Sequence, residues 1–166
     1  MTFRGLKIRW VNLRVNKHLA GTKEKHFEKK RRLLNSIGHD IGEGTKIVGP
    51  VYCTGKLVVG KSCWIGRNLT VNGNGTVTIG DNCDIAPDVA FQTGSHEIGA
   101  PERRAGKGYT KDVSVGNGCW LGAHSVVLGG VTVGNGCVVA ACACVVRDVA
   151  ENTLVGGVPA KEIRKI

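Results

Sequence analysis

Aromatic side chains are scarce in this chain: three Trp, two Tyr and three Phe among 166 residues. Ordinary globular cores draw heavily on them, so the interior here must be narrow and aliphatic. Long apolar runs are missing as well. Nothing reaches the length of a membrane span, and the stretch from Leu6 to Ala20, where a secretory signal would lie, is broken by Lys7, Arg9, Arg14 and Lys17. The seven cysteines are odd in number and form no CxxC pair, which argues against a disulfide framework and a tetrathiolate zinc site and makes a reducing cytoplasm the expected location. The five histidines include no close pair, so no metal is expected. Acidic residues are the minority, 13 against 23 basic, for a formal charge of +10. Residues 1–38 hold eleven basic and two acidic side chains, and the remainder twelve and eleven. The body is nearly neutral and offers no extended basic surface, so no nucleic-acid partner is expected.

Glycine, by contrast, is abundant at 25 residues, without the triplet period of collagen. It belongs to a six-residue repeat. An apolar residue recurs at Ile41, Ile47, Cys53, Val59, Ile65 and Val71, then, after two extra residues, at Ile79, Ile85 and Phe91. After a longer interruption it returns at Val115, Leu121, Val127, Val133, Val139 and Val145. Gly, Ala or Asn follows at ten of these fifteen positions. A second, smaller inward residue lies four places after each, among them Thr45, Cys63, Cys83, Ser95, Cys119 and Cys137. Six is even, so the alternation of a strand survives within each unit, and Gly or Asn then turns the corner. Three units per turn make a prism of parallel strands with five turns. The cysteines at inward positions fill the core and are not nucleophiles.

Around this coil, residues 1–38 read as a basic, mostly helical segment, with a helix over 22–36 capped by Thr22 and stopped by Gly38. Residues 39–157 form the coil, interrupted by a loop at 97–114, and residues 158–166 read as a short helix with Pro159 in its first turn. Ile8, Val11, Val15 and Leu19 follow helical spacing beside Arg9, Arg14 and Lys17. Such a segment either packs on the coil or a neighbouring chain, or makes a peripheral contact with an anionic membrane.

The repeat, Thr93-Gly94-Ser95-His96, Gly118-Cys119-Trp120-Leu121-Gly122, Gly129-Gly130-Val131-Thr132-Val133-Gly134, Val145-Val146-Arg147-Asp148-Val149 and Gly156-Gly157-Val158-Pro159-Ala160-Lys161 together resemble the hexapeptide-repeat acyltransferases, in particular the sugar O-acetyltransferases of the maltose, galactoside and exopolysaccharide type. The resemblance covers about 39–166. It implies an all-β fold, a single-stranded left-handed parallel β-helix, and an acetyl-CoA-dependent enzyme assembled as a homotrimer. It further implies that His96 is the general base for direct transfer to a hydroxyl of a sugar or glycan precursor. By the same resemblance the Gly122-Ala123 corner supplies a backbone oxyanion donor, Ala141, Val146 and Arg147 line the CoA, and Lys161 and Arg164 lie near its phosphates. Imidazole suits the base because its pKa lies near neutrality, and Arg and Lys pair with phosphate. Glu97 either orients His96 or is a solvated loop carboxylate. One departure concerns the acceptor: Gly66 stands where the maltose and galactoside branch commonly has Asn, which leaves glycan precursors and other hydroxylated small molecules open. A second reading, from another class, is a non-catalytic β-helix scaffold whose basic N-terminus binds a membrane or a partner.

Overall fold

The structure, a computed structural model, describes residues 2–166. Between Asp40 and Gly157 the hexapeptides coil into a parallel β-helix with three flat faces. On the first face Ile41, Val59, Ile79, Val115 and Val133 stack in register. Ile47, Ile65, Ile85, Leu121, Val139 and Val155 form the second, and Cys53, Val71, Phe91, Val127 and Val145 the third. Nearly all of these side chains are buried. Five turns are complete and a sixth begins with Val149, which bridges to Val133, and the strand Thr153–Gly157.

Inside, a column of polar donors runs the length of the coil. Thr45, Cys63, Cys83, Cys119, Cys137 and Thr153 are all buried. Each of the first five donates to a corner carbonyl of the next turn: Thr45 Oγ1 to Gly60 at 2.7 Å, then the Cys63, Cys83, Cys119 and Cys137 thiols to Gly80, Gly116, Gly134 and Ala150 at 3.0–3.1 Å. Backbone N–H groups of Cys63, Cys83 and Cys119 donate in turn to Thr45 Oγ1, Cys63 Sγ and Cys83 Sγ. The small inward residue is therefore small to fit and polar to satisfy a backbone corner that the sheet ladders do not reach.

Three expectations about the coil and the C-terminal segment are corrected. Ser95 is exposed, because the strand of the third face ends at Gln92 and Thr93 closes the rung instead. The Thr93 hydroxyl donates to Asn72 O at 2.8 Å and accepts from Gly75 N. The insertion is not a loop over 97–114 but an antiparallel hairpin, Gly94–Ile98 with Ala105–Thr110, since an excursion of this length must pair its own backbone groups. Residues 158–166 form no helix. The chain reverses at Gly157, whose φ of +97° suits a tight turn, and Ala160–Lys165 pairs antiparallel with Thr153–Gly157. So short a segment is a poor isolated helix, and the open edge of the last turn supplies partners for its backbone.

The basic segment caps the first turn. Helix α1 spans Phe3–Leu13 and runs into a π-turn, Arg14–His18; helix α2 spans Glu24–Asn35, two residues later than expected, with Lys23 and not Thr22 at its N-cap. Val11, Val15 and Leu19 are buried, so this face packs within the protein. Asn16 Nδ2 donates to Val51 O at 2.8 Å, and Asn16 Oδ1 accepts from Val51 N at 3.0 Å, which ties the π-turn to the first strand of the third face. Fully buried Lys30 fastens α2: its Nζ donates to Gly21 O at 2.9 Å and Val48 O at 3.0 Å and lies 4.7 Å from the Phe27 ring centre. With no carboxylate beside it, burial lowers its pKa to about 8. Among the described residues, no helix is long and apolar enough to cross a membrane.

Cys83→Ala should cost about 1–3 kcal/mol in urea denaturation because it orphans Cys119 N–H, with Cys83→Ser milder. Lys30 binds a proton more weakly in the folded state than in the unfolded one. As pH rises from about 8 to 10.5, the unfolded chain therefore holds more protons than the folded one, and stability should rise. Lys30→Met should remove this part of the pH dependence, read as the difference between the two denaturation profiles.

Candidate active site

The corner between the second and third faces stacks Gly49, Arg67, Pro87, Ala123 and Ala141. The Arg67, Pro87 and Ala123 carbonyls each accept a hydrogen bond from the next turn, from Asp88 N, His124 N and Cys142 N at 2.8–3.1 Å, and in the first turn Pro50 O accepts from Asn68 N. The column position itself is filled by a proline at Pro87. Among the described residues the Ala123 N–H donates to no acceptor, a property it shares with the Arg67 and Ala141 N–H of the same column. It is a fixed donor left over by the fold, the kind of group that binds a developing oxyanion without reorganisation.

Close approach explains the glycines beside this column. A Cβ on Gly122 would stand 2.5 Å from Ala141 N, and one on Gly66 would stand 2.7 Å from Ala86 C and Pro87 N. The departure at Gly66 is thus built into this backbone, which has no room for a side chain there.

His96 lies on the first strand of the hairpin, across from Gly108, and is exposed. Its Nδ1 stands 2.9 Å from Gly106 O. A carbonyl only accepts, so Nδ1 carries the proton and Nε2 presents its lone pair. The Gly106 carbonyl, and not Glu97, orients the ring. The nearby hollow, about 500 Å³, is lined by Gly73, Asn74, Ser95, His96 and Tyr109.

The structure divides the site residues expected from the sequence into two groups. Ala123 and Ala141 share the corner just described, and Lys161 joins them because it pairs with Gly156, one turn above Ala140. Arg164 pairs with Leu154 and extends the outer row of the second face. Val146 and Arg147 lie across the third face, on the edge from which the His96 hairpin departs. Val146 lies five positions after Ala141, on the order of 15 Å of extended chain. No single corner of one chain holds both the imidazole and the free N–H. The intervening surface is uncharged, formed by Ala90, Val126, Leu128 and Cys144.

A further feature escaped the sequence reading. On the outer row of the second face, Trp64, Asp84 and Trp120 stand on successive turns. The short aspartate between two indoles leaves a cleft of about 430 Å³, floored by Ala86 and Pro87, one turn below Gly122 and Ala123. The string Cys-Trp occurs twice, at Cys63-Trp64 and Cys119-Trp120, and a residue that follows an inward cysteine points outward, which is the signal in the sequence for this pair. Among the described residues no three His, Cys, Asp or Glu side chains are placed to hold a metal. Burial pushes the Cys53 thiol up to about 12, away from nucleophilic use.

The stacked six-residue rungs make the chain a parallel β-helix of hexapeptide repeats, and comparison with known proteins gives its class. A family model described as bacterial transferase hexapeptide (six repeats) matches residues 112–147. The chain is 34% identical over 141 residues to the galactoside O-acetyltransferase of Escherichia coli K12, covering 84% of this chain and 70% of that protein. It superposes on a hexapeptide-repeat acetyltransferase of Vibrio cholerae crystallised with acetyl coenzyme A at a TM-score of 0.83 and 29% identity, covering 98% of this chain and 86% of the other. A galactoside acetyltransferase in complex with coenzyme A gives 0.84 and 30%, covering 98% and 80%. The chain belongs to the hexapeptide-repeat acetyltransferase family.

Proposed function

We propose that the protein transfers an acetyl group from acetyl-CoA to a hydroxyl of a sugar or glycan precursor, with His96 as general base and no acyl-enzyme. The observation that carries this reading is the fixed tautomer of His96, which leaves Nε2 free and exposed. Nε2 takes the proton of the acceptor hydroxyl as its oxygen attacks the thioester carbonyl. The Ala123 N–H receives the resulting oxyanion. Collapse of the intermediate breaks the carbon–sulfur bond, and the leaving CoA sulfur recovers the proton from the imidazolium. Lys161, Arg164 and Arg147 are exposed cations suited to the phosphates of CoA. The cleft between Trp64 and Trp120 suits the acceptor: indole faces pack on a ring, and Asp84 accepts hydrogen bonds from its hydroxyls.

The separation of His96 from Ala123 supports assembly from several copies, with the hairpin of one chain reaching the corner of the next; a homotrimer is the reading we adopt. The uncharged third face is suited to such packing.

A screen of sugar and glycan acceptors with acetyl-CoA, read by thiol release, tests the assignment. His96→Ala should lower kcat about 100- to 10,000-fold on the identified acceptor; turnover near the unsubstituted level would overturn the base. Ala123→Pro removes only the donor, at a column position where the turn below already carries Pro87. It should lower kcat about 100- to 1,000-fold with an unchanged unfolding midpoint.

A further inference from the structure

The second face of helix α1 is unaccounted for by catalysis. Phe3, Leu6, Trp10 and Leu13 recur at helical spacing and are 88%, 51%, 53% and 48% exposed. At about 100° per residue their stripe lies on the side of the helix away from buried Val11. Arg9 flanks it on one side and Lys7 and Arg14 on the other, with Lys17 beyond its end. The Arg14 guanidinium lies 5.9 Å from the Trp10 ring centre. Among the described residues, none of the cations Arg4, Lys7, Arg9, Arg14 and Lys17 is in an ion pair, and α1 carries no acidic side chain. Exposed Lys23, Lys25 and Lys29, none of them in an ion pair among the described residues, add charge of the same sign from the start of α2 and along it.

We propose that this cap docks on a membrane surface rich in anionic lipid, with the Phe3, Leu6, Trp10 and Leu13 stripe in the headgroup region and the flanking cations against lipid phosphates. An apolar stripe bordered by Lys and Arg on an otherwise solvent-facing helix is the arrangement that lies in a membrane interface, where burial and charge attraction act together. A second copy is a poor occupant. A symmetric contact would press five unpaired cations of each chain against their equals, and the rest of the chain, with twelve basic and eleven acidic residues, offers no acidic excess. A nucleic acid would meet the charge but leave the aliphatic Leu6 and Leu13 without a partner. The consequence is an acetyltransferase held close to acceptors that are made or carried at a membrane.

Flotation of the full chain with phosphatidylcholine vesicles containing about a third phosphatidylglycerol tests this. The chain should float with these vesicles, fail to float with pure phosphatidylcholine, and detach as salt rises towards about 1 M. Trp10→Ser with Leu13→Ser, and separately Arg9→Glu with Lys17→Glu, should each lower the bound fraction at least about tenfold while leaving the unfolding midpoint unchanged. Absence of flotation with anionic vesicles, or flotation indifferent to both pairs of substitutions, overturns the proposal. So does a change of sedimentation coefficient in the Trp10→Ser, Leu13→Ser variant, which would make the stripe a contact between copies. Acetyl transfer to a soluble acceptor is measured in parallel, so loss of vesicle binding is separable from failure of the catalytic reading.

Discussion

Everything in this molecule follows from the hydrogen-bond ladder that joins each turn of backbone to the next. Strands in register stand about 4.8 Å apart, and the ladder continues through the corners, where Pro50, Arg67, Pro87 and Ala123 accept from the turn above. Backbone that close leaves no room for side chains beside it, which is why Gly66 and Gly122 are glycine. The same spacing stacks identical positions into columns. Inside, a column becomes a row of thiols and hydroxyls that serve the corner carbonyls; outside, it becomes a row of tryptophan, aspartate and tryptophan framing a cleft.

A catalytic group in such a coil has few places to stand. The faces are occupied by pairing, so a base must be carried on an excursion from the coil, and an oxyanion donor must be an amide that the ladder does not consume. The hairpin at Gly94–Thr110 and the Ala123 corner meet these two requirements. They do so on opposite edges of the third face, and this separation carries the case for a site shared between copies.

Much of this was legible in the sequence for physical reasons. The six-residue period survives because every buried position is dictated by the same narrow interior, and thus all three faces and their registers could be written down beforehand. Where the repeat stops, the reading weakened. The six-residue count puts Ser95 inside, but Thr93 with its two hydrogen bonds ends the rung. Pro159 suits the first turn of a helix over 158–166; the open sheet edge that recruits these residues is a tertiary feature that local spacing does not display. The role of Gly106 in holding His96 depends on hairpin register, which a glycine-rich sequence specifies weakly. The charge excess was legible, but its meaning depended on the surface of α1 that packing leaves exposed.

Mixing two inactive variants tests the central claim, that the active site joins His96 of one copy to Ala123 of another. Chains carrying His96→Ala and chains carrying Ala123→Pro, unfolded together in equal amounts and refolded, should regain about a quarter of the unsubstituted activity, since a quarter of randomly formed interfaces pair an intact His96 with an intact Ala123. Activity no higher than that of either variant refolded alone would place the whole site within one chain and contradict the account.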